Sequence, residues 1–252
     1  MFFSFTLSRL GGQKVEDKGF LDECRDLGFS LTSDQEKRFD LYRDRIIEWN
    51  QRINITRISA PEEINRKHFL DSLSIFRLID LPSSASVVDI GSGGGFPGIP
   101  MEIWNPDFTM TLVDSLNKRI LFLAQVIQYL GLENTQAVHG RAEDLFQDLR
   151  YREVFDLAVS RALAPLPTLL EYTLPAVKVG GSIIAMKGPG GAKELDESKK
   201  AISVLGGSVG RVDTFTWTKD SYQRTLIEII KVKETPPDYP RGRGRAKKNP
   251  LV

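Results

Sequence analysis

Apolar residues along the chain recur first at helical and then at strand spacing. Phe39, Tyr42, Ile46, Trp49 and Ile53 follow one another at intervals of 3, 4, 3 and 4, the repeat of a helix that lays one face on a core. Just before them, Ser33-Asp34-Gln35-Glu36 has capping-box spacing, with the Ser33 hydroxyl and the Glu36 carboxylate each placed to satisfy a backbone amide. A second helical stretch is predicted between Asn54 and Leu81, opening at Ala60-Pro61-Glu62 with proline in its first turn and closing before Pro82. Residues 31–81 therefore read as a helical lobe and residues 1–30 as an N-terminal arm.

From Ser86 the period shortens. Val87-Val88-Asp89-Ile90 leads into Gly91-Ser92-Gly93-Gly94-Gly95, Thr109 to Val113 ends at Asp114, Gln136 to His139 ends at Gly140, Phe155 to Val159 ends at Ser160, and a fifth run spans Ser182 to Met186. Between the second and third runs, Leu116, Ile120, Leu123, Ile127 and Leu130 share a helix face, and Gly131 stands where a left-handed cap is expected. Strands separated by helices predict a parallel, doubly wound sheet with right-handed crossovers. After a lysine-rich helix near Lys193 to Leu205, two strands, Ser208 to Trp217 and Arg224 to Val232, follow without a helix between them and predict an antiparallel hairpin. The expected fold is α/β: a mostly parallel, seven-stranded sheet over residues 82–238, with the helical lobe before it and a tail, 239–252, after it.

Ligands of such sheets sit at the carboxyl ends of the strands. Gly93 to Gly98 is formally a GxGxxG with Asp114 lying 21 residues after Gly93, so a nicotinamide-dependent oxidoreductase is one reading. Asp89 argues against it, because an acid directly ahead of the glycines repels a pyrophosphate that needs the helix N-terminus. A cofactor without phosphate and with a cationic end, such as S-adenosylmethionine, suits Asp89, Gly91, Gly93 and a ribose-binding Asp114 better. After the third strand, Gly140-Arg141-Ala142-Glu143-Asp144 either holds an adenine through an amide and a carboxylate or is an ordinary helix start with acids in its first turn.

The fourth strand ends in Ser160-Arg161-Ala162-Leu163 and lacks the (Asn/Asp/Ser)-Pro-Pro-aromatic stretch expected for methylation of an exocyclic amine. Cytosine C5 methylation needs a cysteine nucleophile, and Cys24 lies in the N-terminal part of the chain. A guanine N7, with its unprotonated lone pair, needs neither. Arg161 and Lys187 at the strand ends would clamp a phosphate or the guanine edge, or are solvated charges.

The single cysteine forbids an internal disulfide, and with two histidines no metal centre is expected. Met1 to Leu10 makes a poor signal peptide, no run approaches the roughly 18 apolar residues of a membrane span, and a cytoplasmic location is expected. No long heptad run indicates an obligate dimer, so a monomer is expected. The net charge of +1 hides an asymmetry: Tyr239 to Val252 holds five cations and no acid, leaving −4 on the first 238 residues. Arg241, Arg243 and Arg245 in that tail are therefore candidate RNA contacts, and deletion of Arg241 to Val252 is expected to weaken RNA binding and leave cofactor affinity intact.

The blocks DIGSGGGFPGIP (Asp89 to Pro100), Leu112-Val113-Asp114-Ser115 with Lys118-Arg119, Arg141-Ala142-Glu143, Ser160-Arg161-Ala162 and Met186-Lys187-Gly188 resemble the bacterial small-subunit ribosomal RNA guanine-N7 methyltransferase G family, also called glucose-inhibited division protein B. Trp49-Asn50, Asn54-Ile55-Thr56 and His68-Phe69-Leu70-Asp71-Ser72-Leu73, with Lys67 in place of an arginine, match its helical lobe, and Tyr239-Pro240-Arg241 with Lys248-Asn249-Pro250-Leu251 match its C-terminal end. The resemblance implies a Rossmann-like class I methyltransferase that uses S-adenosylmethionine to modify one guanine of 16S ribosomal RNA, in the naked RNA or the small subunit. It also implies Gly91, Phe96, Ala142, Glu143 and Arg161 as cofactor contacts; it does not settle a catalytic base, in keeping with a guanine N7 that needs none. His68 and Asp71 remain open between lobe docking and RNA binding. A non-catalytic RNA-binding module is the remaining alternative.

Overall fold

The computed structural model describes residues 18–79, 81–217 and 222–252. The packed lobe starts earlier than the apolar stripe implies. Helix α1 (Lys18–Asp26) buries Phe20 and Cys24, and the Phe20 ring meets Phe39 and Phe69 edge-on at 5.5 and 6.2 Å. Residues 18–30 thus belong to the lobe, while 1–17 lie outside the described residues. Helix α2 (Ser33–Asn50) buries Phe39, Tyr42 and Ile46 of the predicted stripe. Its cap is Thr32 rather than Ser33: Thr32 Oγ1 accepts from the Gln35 amide at 3.3 Å, and Gln35 Oε1 accepts from the Thr32 amide at 2.8 Å. Both frames offer a hydroxyl with Gln or Glu three residues on. The Thr32 frame also lets Gln35 Nε2 donate to the Trp104 carbonyl at 2.9 Å, a tertiary contact that local pattern does not register.

The second helical stretch is a composite rod: α3 (Pro61–Ile64), a π-helical segment (Asn65–Leu70), α4 (Asp71–Leu73) and a 3-10 turn (Ser74–Arg77). Then come β1 (Ser86–Ile90), α5 (Gly98–Trp104), β2 (Thr109–Asp114), α6 (Asn117–Leu130), β3 (Thr135–His139), α7 (Ala142–Leu145), β4 (Phe155–Arg161), α8 (Leu166–Thr173) and β5 (Val177–Lys187). The predicted lysine-rich helix is two, α9 (Gly191–Glu197) and α10 (Lys199–Val204), interrupted where the buried Ser198 hydroxyl donates back to the Glu194 carbonyl at 2.6 Å. Strands β6 (Gly207–Trp217) and β7 (Tyr222–Lys231) precede a last short helix, α11 (Arg245–Lys248). On α6 the buried face carries Phe122, Leu123, Val126 and Leu130, whereas Leu116 precedes the helix and is exposed. Gly131 ends it at φ 63°, as predicted.

The sheet has seven strands in the order β3-β2-β1-β4-β5-β7-β6. Every pair is parallel except those made by β7, which runs back between β5 and β6, so the hairpin forms one edge. Apolar side chains cover both faces. One cluster joins the sheet to the helical lobe, α5 and α6; the other joins it to α7, α8 and α10. Among the described residues no helix is long and apolar enough to cross a membrane.

A buried carboxylate ties the rod to the sheet. Asp71 accepts from Arg161 at the end of β4 (2.8 Å) and, through both oxygens, from Arg224 near the start of β7. Burial alone would raise its pKa, but the Arg224 and Arg161 guanidiniums outweigh that and hold it below 3.8. Asp71→Ala would strand two guanidiniums and is expected to lose about 3–5 kcal/mol in chemical denaturation; a loss under about 1 kcal/mol would mean that apolar packing alone docks the lobe. Since the folded-state pKa is depressed, the advantage of the parent over Asp71→Asn should be intact well above pH 3.8 and vanish as pH falls through the folded value.

Candidate active site

The turn after β1 is shaped by two glycines and a buried acid. Gly91 has φ +76°, and a Cβ there would stand 2.6 Å from Leu163 Cδ1, so only glycine takes this turn without strain. At Gly98, a Cβ would meet Leu112 Cδ2 at 2.4 Å, which lets the start of α5 lie directly on the sheet. Asp89, with no exposed surface, accepts the Gly98 amide on Oδ2 at 2.9 Å, while its Oδ1 has no partner. Burial pushes its pKa up to about 7 against the pull of the Gly98 amide and the nearby Ser92 hydroxyl, which itself donates to the Asp89 main-chain carbonyl. Asp89 therefore does not line the open cleft as expected. It occupies the amide that a bound phosphate would require.

The loop is also held from above by the lobe. Tyr42 donates its hydroxyl to the Gly94 carbonyl. Asn50 Oδ1 accepts the amides of Ile55 (2.9 Å) and Thr56 (3.0 Å), and its Nδ2 donates to the Thr56 carbonyl at 2.8 Å, which sets Ile55 over Gly94. Phe96 stacks on the His68 ring at 4.3 Å, and the Arg161 guanidinium carbon lies 5.0 Å from the centre of its ring. Arg161 donates to His68 Nδ1 at 2.9 Å and to the Lys67 carbonyl at 2.8 Å. An arginine can only donate, so His68 carries its proton on Nε2 and gives it to Thr56 Oγ1 at 2.7 Å. Burial and Arg161 lower the His68 pKa to about 3. It is a neutral strut between loop, rod and strand.

On the other side of the glycine loop a cleft is lined by Gly91, Asp114, Ala142, Glu143, Leu163 and Tyr172, among others. Asp114 Oδ2 accepts the Gly93 amide (3.0 Å) and Arg119 (3.1 Å), and its Oδ1 accepts the Leu116 amide (2.8 Å); one acceptor site on Oδ1 is left. Glu143 is buried and stands 3.7 Å from Arg141. Tyr172, whose pKa rises through burial and then the charge of Glu143, was missed in the sequence because it sits within an apolar run of α8 that reads as core.

The cations assigned to the substrate fare differently. Lys187 is buried, donating to the Ala164 carbonyl at 2.6 Å and pairing with Glu194 at 2.8 Å, so it is a β5–α9 tie and not a cation at the mouth. Arg241 forks onto the buried Glu171 at 2.9 and 2.6 Å, and the segment after it buries Ala246 and Leu251. The tail is folded onto the body; of its expected RNA contacts only Arg243 and Arg245 remain exposed.

A sheet of this order with a glycine turn after β1, acids at the ends of β2 and after β3, and an α5 N-terminus already capped by a carboxylate defines a class I, Rossmann-like methyltransferase. The chain belongs, more closely, to the rRNA small subunit methyltransferase G family, whose model matches residues 35–227. It is 46% identical over 229 residues to the ribosomal RNA small subunit methyltransferase G of Desulforamulus reducens, covering 91% of this chain and 95% of that one. The protein of the same name from Alkaliphilus metalliredigens is 45% identical over 238 residues, 94% and 100% of the two chains. Among solved structures, M. jannaschii TYW2 in complex with AdoMet superposes with a TM-score of 0.51 at 13% identity, over 66% of this chain and 76% of that one, a likeness of fold alone.

The cleft fits S-adenosylmethionine on its chemistry: carboxylates for hydroxyl and amino donors, and an α5 N-terminal amide already taken by Asp89 where a dinucleotide's pyrophosphate would sit. Asp114 and Glu143 would hold its polar groups, and Gly91 and Ala142 would lie along its body. Two outcomes test this geometry. Because the Asp89 pKa is raised, the parent should lose stability relative to Asp89→Asn as pH rises from about 4 to about 7 and no further above that, measured by thermal unfolding without cofactor; a flat difference would mean that Asp89 stays ionised. Arg241→Ala strands Glu171, the neighbour of Tyr172. It is expected to weaken cofactor binding several-fold in calorimetry, whereas unchanged affinity would return the tail to the cofactor-neutral role read from its charge.

Proposed function

We propose that the protein transfers a methyl group from S-adenosylmethionine to N7 of one guanine in 16S ribosomal RNA of the small subunit, acting as a monomer in the cytoplasm. The observation that carries the choice of acceptor is the protonation state of the groups around Phe96. His68 is neutral with both nitrogens engaged, and Asp71 is ionised and held by two guanidiniums. Neither is free to take a proton, so the arrangement suits an acceptor that carries none. The guanine N7 lone pair is such an acceptor.

The cofactor supplies an electrophilic methyl on a sulfonium, with the sulfur as leaving group. The chain's own part is orientation and proximity. The glycine turn fixes where the methyl points, and Phe96, stacked on His68, supports that turn from the lobe side. Arg161, held rigid by Asp71, His68 and the Lys67 carbonyl, presents one guanidinium edge beside that ring. Asp71 balances only one of its two arginines, so this cluster carries a net positive charge, which suits an electron-rich guanine edge or a flanking phosphate.

Chemical cleavage at N7-methylguanine in ribosomal RNA from cells with and without the gene tests the reading directly. The site should be cleaved only where the gene is present; identical patterns would support an RNA-binding module without catalysis. Glu143→Ala should raise the cofactor Kd about tenfold, the loss of a charge-assisted hydrogen bond, with the unfolding midpoint little changed. NADH binding with a resolved isotherm would instead favour an oxidoreductase.

A further inference from the structure

A second crevice opens on the same edge of the sheet as the cofactor cleft, over β7 and β6. Since β7 runs antiparallel to both β5 and β6, the last residues of β6 and the first of β7 stand at the carboxyl ends of the parallel strands. Phe215 and Trp217 meet there edge to face at 5.3 Å, with Arg77 4.6 Å above the Phe215 ring and paired to Asp213 at 2.6 Å. Tyr222, 39% exposed, lies 4.9 Å from the Arg224 guanidinium carbon. The facing wall is α1, through Asp22 and Asp26, and the rod also borders the space, through Arg66, Lys67 and Asp71. The Trp217 indole nitrogen is buried and finds no acceptor among the described residues.

We propose that this crevice takes an unpaired base of the RNA substrate close to the target guanine, stacked on the Trp217 and Tyr222 rings, an inference that rests on the RNA methyltransferase reading. Aromatic faces beside guanidiniums are the means by which single-stranded RNA is held. Carboxylates on the α1 wall accept amino or imino hydrogens of a base edge, and the lining cations Arg66, Lys67 and Arg77 suit the phosphates that flank it. Position supports the same occupant. Asp71 borders the crevice on one side and on the other holds Arg161, whose guanidinium lies against Phe96. A base in the crevice and a base at the cofactor would therefore be separated by this one ion-pair cluster, and the residues that dock the lobe would also set the spacing between two nucleotides.

The test is a double-mutant cycle on binding of an oligoribonucleotide that spans the methylated loop. Trp217→Ala is expected to weaken RNA binding about tenfold, the effect of one lost base–aromatic stack, with cofactor affinity unchanged and Trp217→Phe restoring most of the loss. One abasic substitution near the target should cost the unaltered protein a similar factor and cost Trp217→Ala nothing further. Multiplying losses at every position would overturn the proposal. Asp26→Asn, on the opposite wall, reads the base edge without touching the hairpin; it should alter discrimination among bases at that position, and identical discrimination counts against the crevice. If the unaltered protein binds the RNA with this pattern but never methylates it, the methyltransferase reading fails and the crevice stands.

Discussion

The Asp71 carboxylate, shared between Arg161 and Arg224, is the interaction on which the rest of the site depends. It lies on the rod and reaches two strands separated in the sheet by β5, so it fixes the rotation of the lobe over the carboxyl edge. Apolar packing of Phe39, Phe69 and Phe20 supplies the area but not the register, because burial of apolar surface is non-directional. A forked arginine pair is directional. Once Asp71 is in place, Arg161 cannot leave the Phe96 ring without breaking its hydrogen bonds to Asp71, His68 and the Lys67 carbonyl, and His68 is held in one tautomer. The arrangement is stiff where methyl transfer would need a defined approach.

The glycine turn is organised by the same kind of constraint on a smaller scale. Asp89 draws the start of α5 onto β1 through the Gly98 amide, Asp114 draws the middle of the loop through the Gly93 amide, and Tyr42 and Ile55 close it from the lobe. Two of the acids that look like ligand groups in the sequence thus hold the loop's own amides. Asp114 keeps spare acceptor capacity toward the cleft and Asp89 does not face it. Loop support and ligand contact are separate duties for residues that look alike as letters.

Local patterns carried much of the fold. Five strand runs, the hairpin, the Gly131 cap and the proline-led rod were legible because each rests on residues within a few positions of one another. What escaped was settled over long sequence separations. Lys187 and Arg241 were read as free cations because Glu194 and Glu171 meet them only in the folded chain. Thr32 won the cap over Ser33 through Trp104, and Tyr172 reached the cleft only when α8 packed beside α7. Cys24 joined the core because α1, whose pattern is too short to stand out, folds against Phe39 and Phe69.

The same pairings change what the chain's charge can mean for RNA. A basic tail beside an acidic body suggests a free tether, but Arg241 is bound to Glu171 and the segment around it is packed, so the exposed cations Arg243, Arg245, Lys247 and Lys248 are mounted on a folded segment. Cations that remain exposed near the glycine loop and the cleft include Arg57, on the segment that Asn50 clamps, together with Lys118 and Arg141. On the proposed function, phosphate contacts made by these side chains would lie beside the cofactor and share its rigid support. Affinity from counterion release is indifferent to where a cation is mounted, but orientation is not: a charge on a clamped loop fixes the RNA relative to the methyl donor, and a charge on a free tail does not. On that reading the body, with its small formal negative charge, would meet RNA through a few fixed cations placed at the mouth, where positioning the base is the catalytic task.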